Sequence, residues 1–417
     1  MSSLQLNRRD LFQRLGLSAL ALSLPRAAAA EGYEGPLFLS VHAGGGWDPT
    51  SFCDPKGRAN EMSPDPVNRY FSDEIRSVNR SSPIHWAPMG ENDVFFEALY
   101  DRLLVVNGID SSTNNHSTGT RYLNSGQLTE GHPSIGALLT GALAPGLPLA
   151  YITNGGYDVT RGIAPRTRIG SLDVINRIAR PNEDRDYRYQ PEWSLEEIQR
   201  LSSIRARRRF EGRMLPTKRS ALGDFIQSRS GSNELRRLSE NLPDLNSFST
   251  ALGRQGAIAL AGYRAGVTAA ANLSVGGFDT HSDHDNRQMT ALNNLSAGLL
   301  ELWREVERLG LEERVFVMVT SDFGRTPRYN DGNGKDHWSI TSALFFGAGV
   351  RGNRVVGASD EGVRARAIDP ETLDLNPDGV LITPAMIHGS LRAHLGLDQQ
   401  ELSRLFPLED EPLPLFS

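Results

Sequence analysis

Four short stretches of this chain concentrate side chains able to grip a cation or move a proton, and each follows an apolar run. The first is Ala43-Gly-Gly-Gly-Trp-Asp48. The second runs from Gly108 through Asn115-His116-Ser117-Thr118 towards Asn124-Ser-Gly126. The third is Gly276-Gly-Phe-Asp279-Thr-His281-Ser-Asp283-His284-Asp285. The fourth is Ser321-Asp322-Phe323-Gly324-Arg325-Thr326, followed by Lys335-Asp336-His337-Trp338. Carboxylates with neutral imidazoles, and no thiolate among them, form the oxygen and nitrogen donor set of Zn, Ca, Mn or Mg sites. Taken singly, an Asp after a strand caps a helix or forms a turn, and a lone His is an ordinary hydrogen-bonded group. Concentration argues for one shared site: of nine histidines, His116, His281, His284 and His337 all fall in these stretches. The candidates for a shared metal or acid–base site are Asp48, Asp279 and Asp322 with His116, His281, His284 and His337.

Other catalytic signatures fail on context. Gly347-Ala-Gly349-Val-Arg-Gly352 has the dinucleotide spacing, but Asn353-Arg-Val-Val-Gly357 follows it as turn and strand, where that fingerprint requires a helix. No Gly-x-Ser-x-Gly elbow or His-Glu-x-x-His helix is present, and Gly334-Lys335 continues into Asp336, which rules out a phosphate-binding Walker loop.

The elements that position these stretches are legible as hydrophobic runs. Strands are expected at Pro36–His42, Leu103–Asn107, Leu149–Thr153, Ala269–Val275, Val315–Thr320 and Ala343–Gly347. Most are continuously apolar, as in a sheet covered on both faces. Met289, Leu292, Leu295, Leu299, Trp303 and Val306 recur every three or four residues, predicting a helix from about Asn286 to Leu309 with one buried stripe. Thr383 followed by Pro384 predicts a second helix to about His394. The fold class is therefore a layered α/β fold, whose ligands bind beyond the carboxyl ends of the strands. Residues 180–250 read differently, as a helical insertion: Ser194-Leu-Glu-Glu197 is a capping-box pattern, and Arg205, Arg207, Arg208, Arg209, Arg213, Lys218 and Arg219 form a basic stretch.

The chain has 417 residues with 44 basic and 50 acidic side chains, a formal net charge of −6. That balance argues against a nucleic-acid binder. One cysteine, Cys53, excludes an internal disulfide framework and a cysteine metal cluster. Residues 1–30 carry Asn7-Arg-Arg-Asp-Leu-Phe12, a short apolar run and Ala27 to Ala30. This pattern predicts a twin-arginine export signal, too short for a permanent membrane anchor, with 31–417 as one exported domain in the periplasm or outside the cell.

Taken together, Gly45-Gly-Trp-Asp48, Asn115-His116 with Asn124-Ser-Gly126, Gly277-Phe-Asp-Thr-His281, and Ser321-Asp-Phe-Gly-Arg-Thr-Pro327 with Asp336-His337 resemble the bacterial domain-of-unknown-function family 1501. That family is similar to the alkaline-phosphatase-like superfamily of phosphatases and sulfatases. The resemblance implies an alkaline-phosphatase-like fold, a three-layer α/β/α sandwich with a mostly parallel central sheet. It further implies that Asp48 and Asp322 are metal-binding carboxylates, that Asp279 pairs with His281 or His284, and that His337 completes the site. Phe323 stands where the superfamily has a ligand His or Asn, and His116 stands where it has a nucleophile. His116 is thus a candidate nucleophile, ligand or general base, and Ser117 a neighbouring hydroxyl. The function expected is hydrolysis of phosphate or sulfate esters on a small molecule or polymer, with one divalent metal as Lewis acid and Arg325 as a clamp for ester oxygens or else a structural ion pair. The alternative is a catalytically altered relative acting as a cell-envelope binding or assembly factor. The twin-arginine export machinery is the one protein partner expected.

Overall fold

The computed structural model describes residues 33–63, 65–147, 149–169, 192–211 and 232–416, together with positions 215, 218 and 222. Among these, eight strands form one sheet: β1 (Leu37–Ala43), β2 (Leu104–Asp110), β3 (Tyr151–Thr153), β4 (Arg166–Arg168), β5 (Ala270–Val275), β6 (Val315–Ser321), β9 (Ile340–Gly347) and β10 (Arg354–Val356). Their spatial order is β10-β2-β9-β6-β1-β5-β3-β4. Two short strands, β7 (Gly324–Arg325) and β8 (His337–Trp338), pair separately. Within the eight-stranded sheet β9 is antiparallel to both of its neighbours, β2 and β6, and the other pairings are parallel, while β7 and β8 pair antiparallel.

Alternation along β1 explains the layers. Leu37, Leu39, Val41 and Ala43 face a core shared with Leu292, Leu295, Leu299 and Trp303 of the helix His284–Leu309 and with Leu252 and Leu260 of the helix Ala251–Arg264. Phe38 faces the opposite core, where Ile135, Leu138 and Leu139 of the helix Ile135–Leu143 meet Ile387 and Leu391 of the helix Pro384–His394. Each such buried Leu, Val, Ile or Phe contributes on the order of 1.5–3 kcal/mol relative to exposure. A sheet so covered is the expected three-layer sandwich. On the Phe38 side, the last two polar residues of β1, Ser40 and His42, fall on the face where the helix His116–Ser125 crosses, with Ser40 Oγ 3.0 Å from Asn124 Oδ1.

The expected strands coincide with observed ones to within a few residues, and the long helix begins at His284, two residues before its expected start. Thr383 caps the helix Pro384–His394, its hydroxyl accepting from Met386 N–H at 3.3 Å. The antiparallel sense of β9 was not legible, because an apolar run carries no direction. Within the region read as an insertion, helices occupy Glu192–Glu211 and Ser232–Asn241. Ser194 lies inside the first of them and so is not its N-cap, and Arg205, Arg208, Arg209 and Lys218 are exposed. The start of that insertion and the export signal at residues 1–30 lie outside the described residues. Among the described residues no helix is long and apolar enough to cross a membrane.

Candidate metal centre

The parallel strands end at one rim, and all four polar stretches leave the sheet there. After β1, Gly45 and Gly46 adopt φ of +120° and +80°. A Cβ on Gly45 would stand 2.5 Å from Asp279 N, and one on Gly46 would stand 2.5 Å from the Phe323 ring. Only glycine allows this close approach. It delivers Gly45 N–H to Asp322 Oδ2 at 3.0 Å and turns the Gly45 and Gly46 carbonyls towards Arg325. A second close approach occurs at Gly119, where a Cβ would be 2.1 Å from the Asp322 carbonyl oxygen, so the helix His116–Ser125 lies directly against the turn after β6.

Asp322 is buried and accepts four hydrogen bonds. His116 Nδ1 reaches Oδ2 at 2.5 Å, while His42 Nε2 and Thr120 Oγ1 reach Oδ1 at 2.7 and 3.0 Å. Gly45 N–H supplies the fourth. Burial alone would raise its carboxyl, but the bonds from His42, His116 and Thr120 outweigh burial and hold it down at about 2. Asp322 therefore stays ionised and fixes the proton of His116 on Nδ1.

The same logic fixes two more rings. His281 Nδ1 meets Asp336 Oδ1 at 2.8 Å, and His337 Nδ1 meets the Asn114 carbonyl at 2.8 Å. Neither partner can donate, so both Nδ1 atoms carry protons and the Nε2 atoms face inward. There His281 Nε2 and His337 Nε2 lie 2.8 Å apart, and both approach Asp279 Oδ1, at 3.1 and 3.3 Å. His116 Nε2 stands 3.8 Å from Asp279 Oδ2. Two nitrogens this close need a proton or a cation beside them.

A divalent ion fits this requirement. His116, Asp279 and His337 each offer one ligand atom, all within 4.8 Å of one another. Donors of a tetrahedral centre with ligand distances of about 2.0–2.1 Å lie roughly 3.3 Å apart, so the three donors would have to draw closer to close on an ion. Three carboxylates contact these rings, Asp279, Asp322 and Asp336, and of them Asp279 is the one paired with the Arg325 guanidinium. The group is reachable, since the side chains of His116 and Asp279 are 41% and 50% exposed. Behind it the buried Phe323 ring packs against His337 and His116, with centroids 4.4 and 4.9 Å away.

Arg325, considered as a clamp for ester oxygens, is turned inward. Its fully buried guanidinium donates to the carbonyls of Gly45, Gly46, Phe278 and Lys335, and Nη2 reaches Asp279 Oδ1 at 2.8 Å. It is the structural ion pair of the two readings, and it positions Asp279. Burial would raise the Asp279 carboxyl, but Arg325, His337 and His281 together hold it below its usual range. Ser117 is exposed on the first turn of the helix His116–Ser125, and no hydrogen bond joins it to a base among the described residues.

Asp48 and His284 are brought together with each other, not with the rim group. Asp48 Oδ2 accepts from His284 Nε2 at 2.9 Å and Lys335 Nζ at 2.5 Å, while Oδ1 accepts from Thr50 N–H and Oγ1 at 2.9 and 2.6 Å. Ser51 Oγ adds a contact at 3.2 Å. Burial opposes ionisation of Asp48, yet Lys335 and His284 hold its carboxyl far below the usual range. His284 is kept largely neutral by burial, and its Nδ1 meets Thr280 Oγ1 at 2.8 Å. Both nitrogens of His284 are engaged, and both oxygens of Asp48 are in use.

His42, Thr120, Asn114, Lys335 and Asp336 have site roles that the sequence reading did not assign. His42 carries a signal in retrospect: it is the polar residue at the carboxyl end of a strand whose alternate positions are apolar.

The family model described as "Protein of unknown function (DUF1501)" matches residues 224–403, which include Asp279, His281, Asp322 and His337. No curated protein matches the sequence. Among solved structures, the chain is similar to PsFucS1 sulfatase from Pseudoalteromonas sp. at 11% identity, covering 96% of this chain and 77% of that one, with a TM-score of 0.35. It is similar to alkaline phosphatase from the Antarctic bacterium TAB5 at 11% identity, covering 76% and 93%, with a TM-score of 0.33. The lipoteichoic acid synthase LtaP from Listeria monocytogenes matches at 10% identity over 88% and 79%, with a TM-score of 0.33. At such identities and scores, the chemistry of the site is decided by the chain's own side chains.

Proposed function

We propose that this protein is a metal-dependent hydrolase of phosphate or sulfate esters, exported by the twin-arginine route. The observation that carries the reading is the convergence of three inward Nε2 atoms, each ring anchored through Nδ1, on the single carboxylate of Asp279. His116, Asp279 and His337 would hold the ion. When bound, a divalent ion supplies Lewis-acid stabilisation to the negative charge that develops on ester oxygens.

His281 is the proton carrier. Asp336 orients its ring and stabilises the imidazolium, and the Nε2 lone pair takes a proton from the attacking water. Water oxygen bonds to phosphorus or sulfur, the ester P–O or S–O bond breaks, and the leaving oxygen receives that proton. The first turn of the helix His116–Ser125 offers N–H groups and its dipole to the anion, with the exposed Ser117 hydroxyl beside them. Phe323 shields the rear of the His116 and His337 rings from water.

The test combines metal content by mass spectrometry with turnover of nitrophenyl phosphate, bis-nitrophenyl phosphate and nitrophenyl sulfate. His116→Ala and His337→Ala are expected to lose both metal and activity. His281→Asn should keep metal while kcat falls about 10²–10⁴-fold, the usual scale for losing a general acid–base group. A protein that takes up no Zn, Mn, Ca or Mg, or that is metal-loaded yet inert across the panel, refutes the hydrolase and favours the binding or assembly factor.

A further inference from the structure

We propose that the buried ammonium of Lys335 is a built-in cation, standing beside Asp48 where the family resemblance implied a metal, so that the chain holds a single divalent ion. The single rim ion rests on the proposed function; the Lys335 assignment rests on its own geometry.

Lys335 and Asp48 are both fully buried. Nζ lies 2.5 Å from Asp48 Oδ2, 2.9 Å from Asn68 Oδ1 and 3.5 Å from Thr50 Oγ1, so three oxygens surround three N–H donors. Asn68 is itself oriented, because its Nδ2 donates to the carbonyls of Thr50 and Lys56 and leaves Oδ1 for the ammonium. The Tyr329 ring adds a face 5.2 Å from Nζ. An isolated carboxylate in this interior is very costly, so Asp48 must have a cation, and here the chain supplies it. A metal ion would have to displace the ammonium while His284 Nε2–H, a donor, continued to point at the same oxygen. At the rim the situation differs, because the Nε2 atoms of His116, His281 and His337 converge on Asp279 and, among the described residues, no lysine ammonium stands with them.

The ammonium also moors what the rim needs. Lys335 N–H donates to the Thr280 carbonyl at 3.1 Å, its own carbonyl accepts from Arg325 Nη1 at 2.9 Å, and the next two residues are Asp336 and His337. Lys335 is thus a positioning residue for the segment bearing the proton carrier's partner and one metal ligand.

Metal stoichiometry tests the assignment. The full chain, loaded with Zn2+ or Mn2+ and desalted, is compared with a His116→Ala/His337→Ala variant, the same variant carrying Lys335→Met, and a Lys335→Met/Asp48→Asn variant. One ion per chain is expected in the parent and none in the rim variant. Adding Lys335→Met to the rim variant should restore one ion, now at Asp48, and make the melting temperature rise with added metal. Without metal, Lys335→Met should lower melting by about 5 °C or more, since one partner of a buried pair is left alone. Lys335→Met/Asp48→Asn should recover most of that loss and bind nothing at Asp48. Two ions in the parent, or one retained after loss of the rim histidines, overturn the proposal, and these counts decide it even if the Lys335 variants fail to fold. No ion in the parent, with one gained on Lys335→Met, upholds Lys335 and refutes the metal reading of the rim.

Discussion

Asp322→Asn isolates the step from backbone geometry to metal affinity. The carboxylate accepts from His116 Nδ1, His42 Nε2, Thr120 Oγ1 and Gly45 N, and is nearly buried. The amide keeps the shape but replaces one acceptor with two N–H donors. Turned towards His116, the amide NH2 forces that ring to accept at Nδ1 and moves its proton onto Nε2, the atom that would bind the proposed ion. Turned towards His42, it forces that ring to swap its proton onto Nδ1, which is buried with no hydrogen-bond partner. In that case His116 still exchanges an anionic partner for a weaker neutral one. Either way the ligand loses its support, and loss of such a partner typically weakens metal binding 10–100-fold, about 1.4–2.7 kcal/mol. Competition against a chromogenic chelator at neutral pH measures this directly. Thr120→Val, which removes one bond to Asp322 without touching His116, serves as the control and should change affinity only a few-fold. An Asp322→Asn protein binding Zn2+ within twofold of the parent, while His116→Ala abolishes binding, would refute the tautomer argument.

Other outcomes follow from the same geometry. Asp322 sits at about 2 when folded against about 3.8 in a free chain, so its contribution is full above the free value and disappears as pH falls from about 4 to 2. That contribution is about 2 kcal/mol. Asp48 and Asp279 shift in the same direction, so urea midpoints should drop on acidification, with a shallower profile in Asp322→Asn. A chain that gains stability below pH 4 contradicts this sign. Gly119→Ala places a methyl group 2.1 Å from the Asp322 carbonyl oxygen, and should cost about 1–3 kcal/mol in chemical denaturation and weaken metal retention. Phe323→Ala empties a fully buried site behind the His116 and His337 rings, and should cost about 3–5 kcal/mol by the same assay.

The layered fold and the rim location were legible because their causes are local. Continuous apolar runs at Val315–Ser321 and Ala270–Val275 declare strands covered on both faces, and polar residues that follow such strands must emerge at a sheet edge. Asp279, His281, Asp322, His337 and His116 were all found this way. The identity of the ligands was less legible. Asp48 and Asp322 are each an Asp a few residues past a parallel strand, and their chemical surroundings differ only through residues far away in the chain. Lys335, which neutralises Asp48, is 287 residues distant.

By itself, then, the sequence determined which side chains reach the rim, since periodicity and strand ends depend on neighbours one to four residues apart. Tertiary structure alone decided which of them meet. It turned Arg325 inward onto four carbonyls and Asp279, paired Asp48 with an ammonium, and aimed three imidazole Nε2 atoms at one carboxylate. Those partnerships are set by register, glycine-permitted close approach and burial. These couple residues hundreds of positions apart and leave no mark in any local pattern.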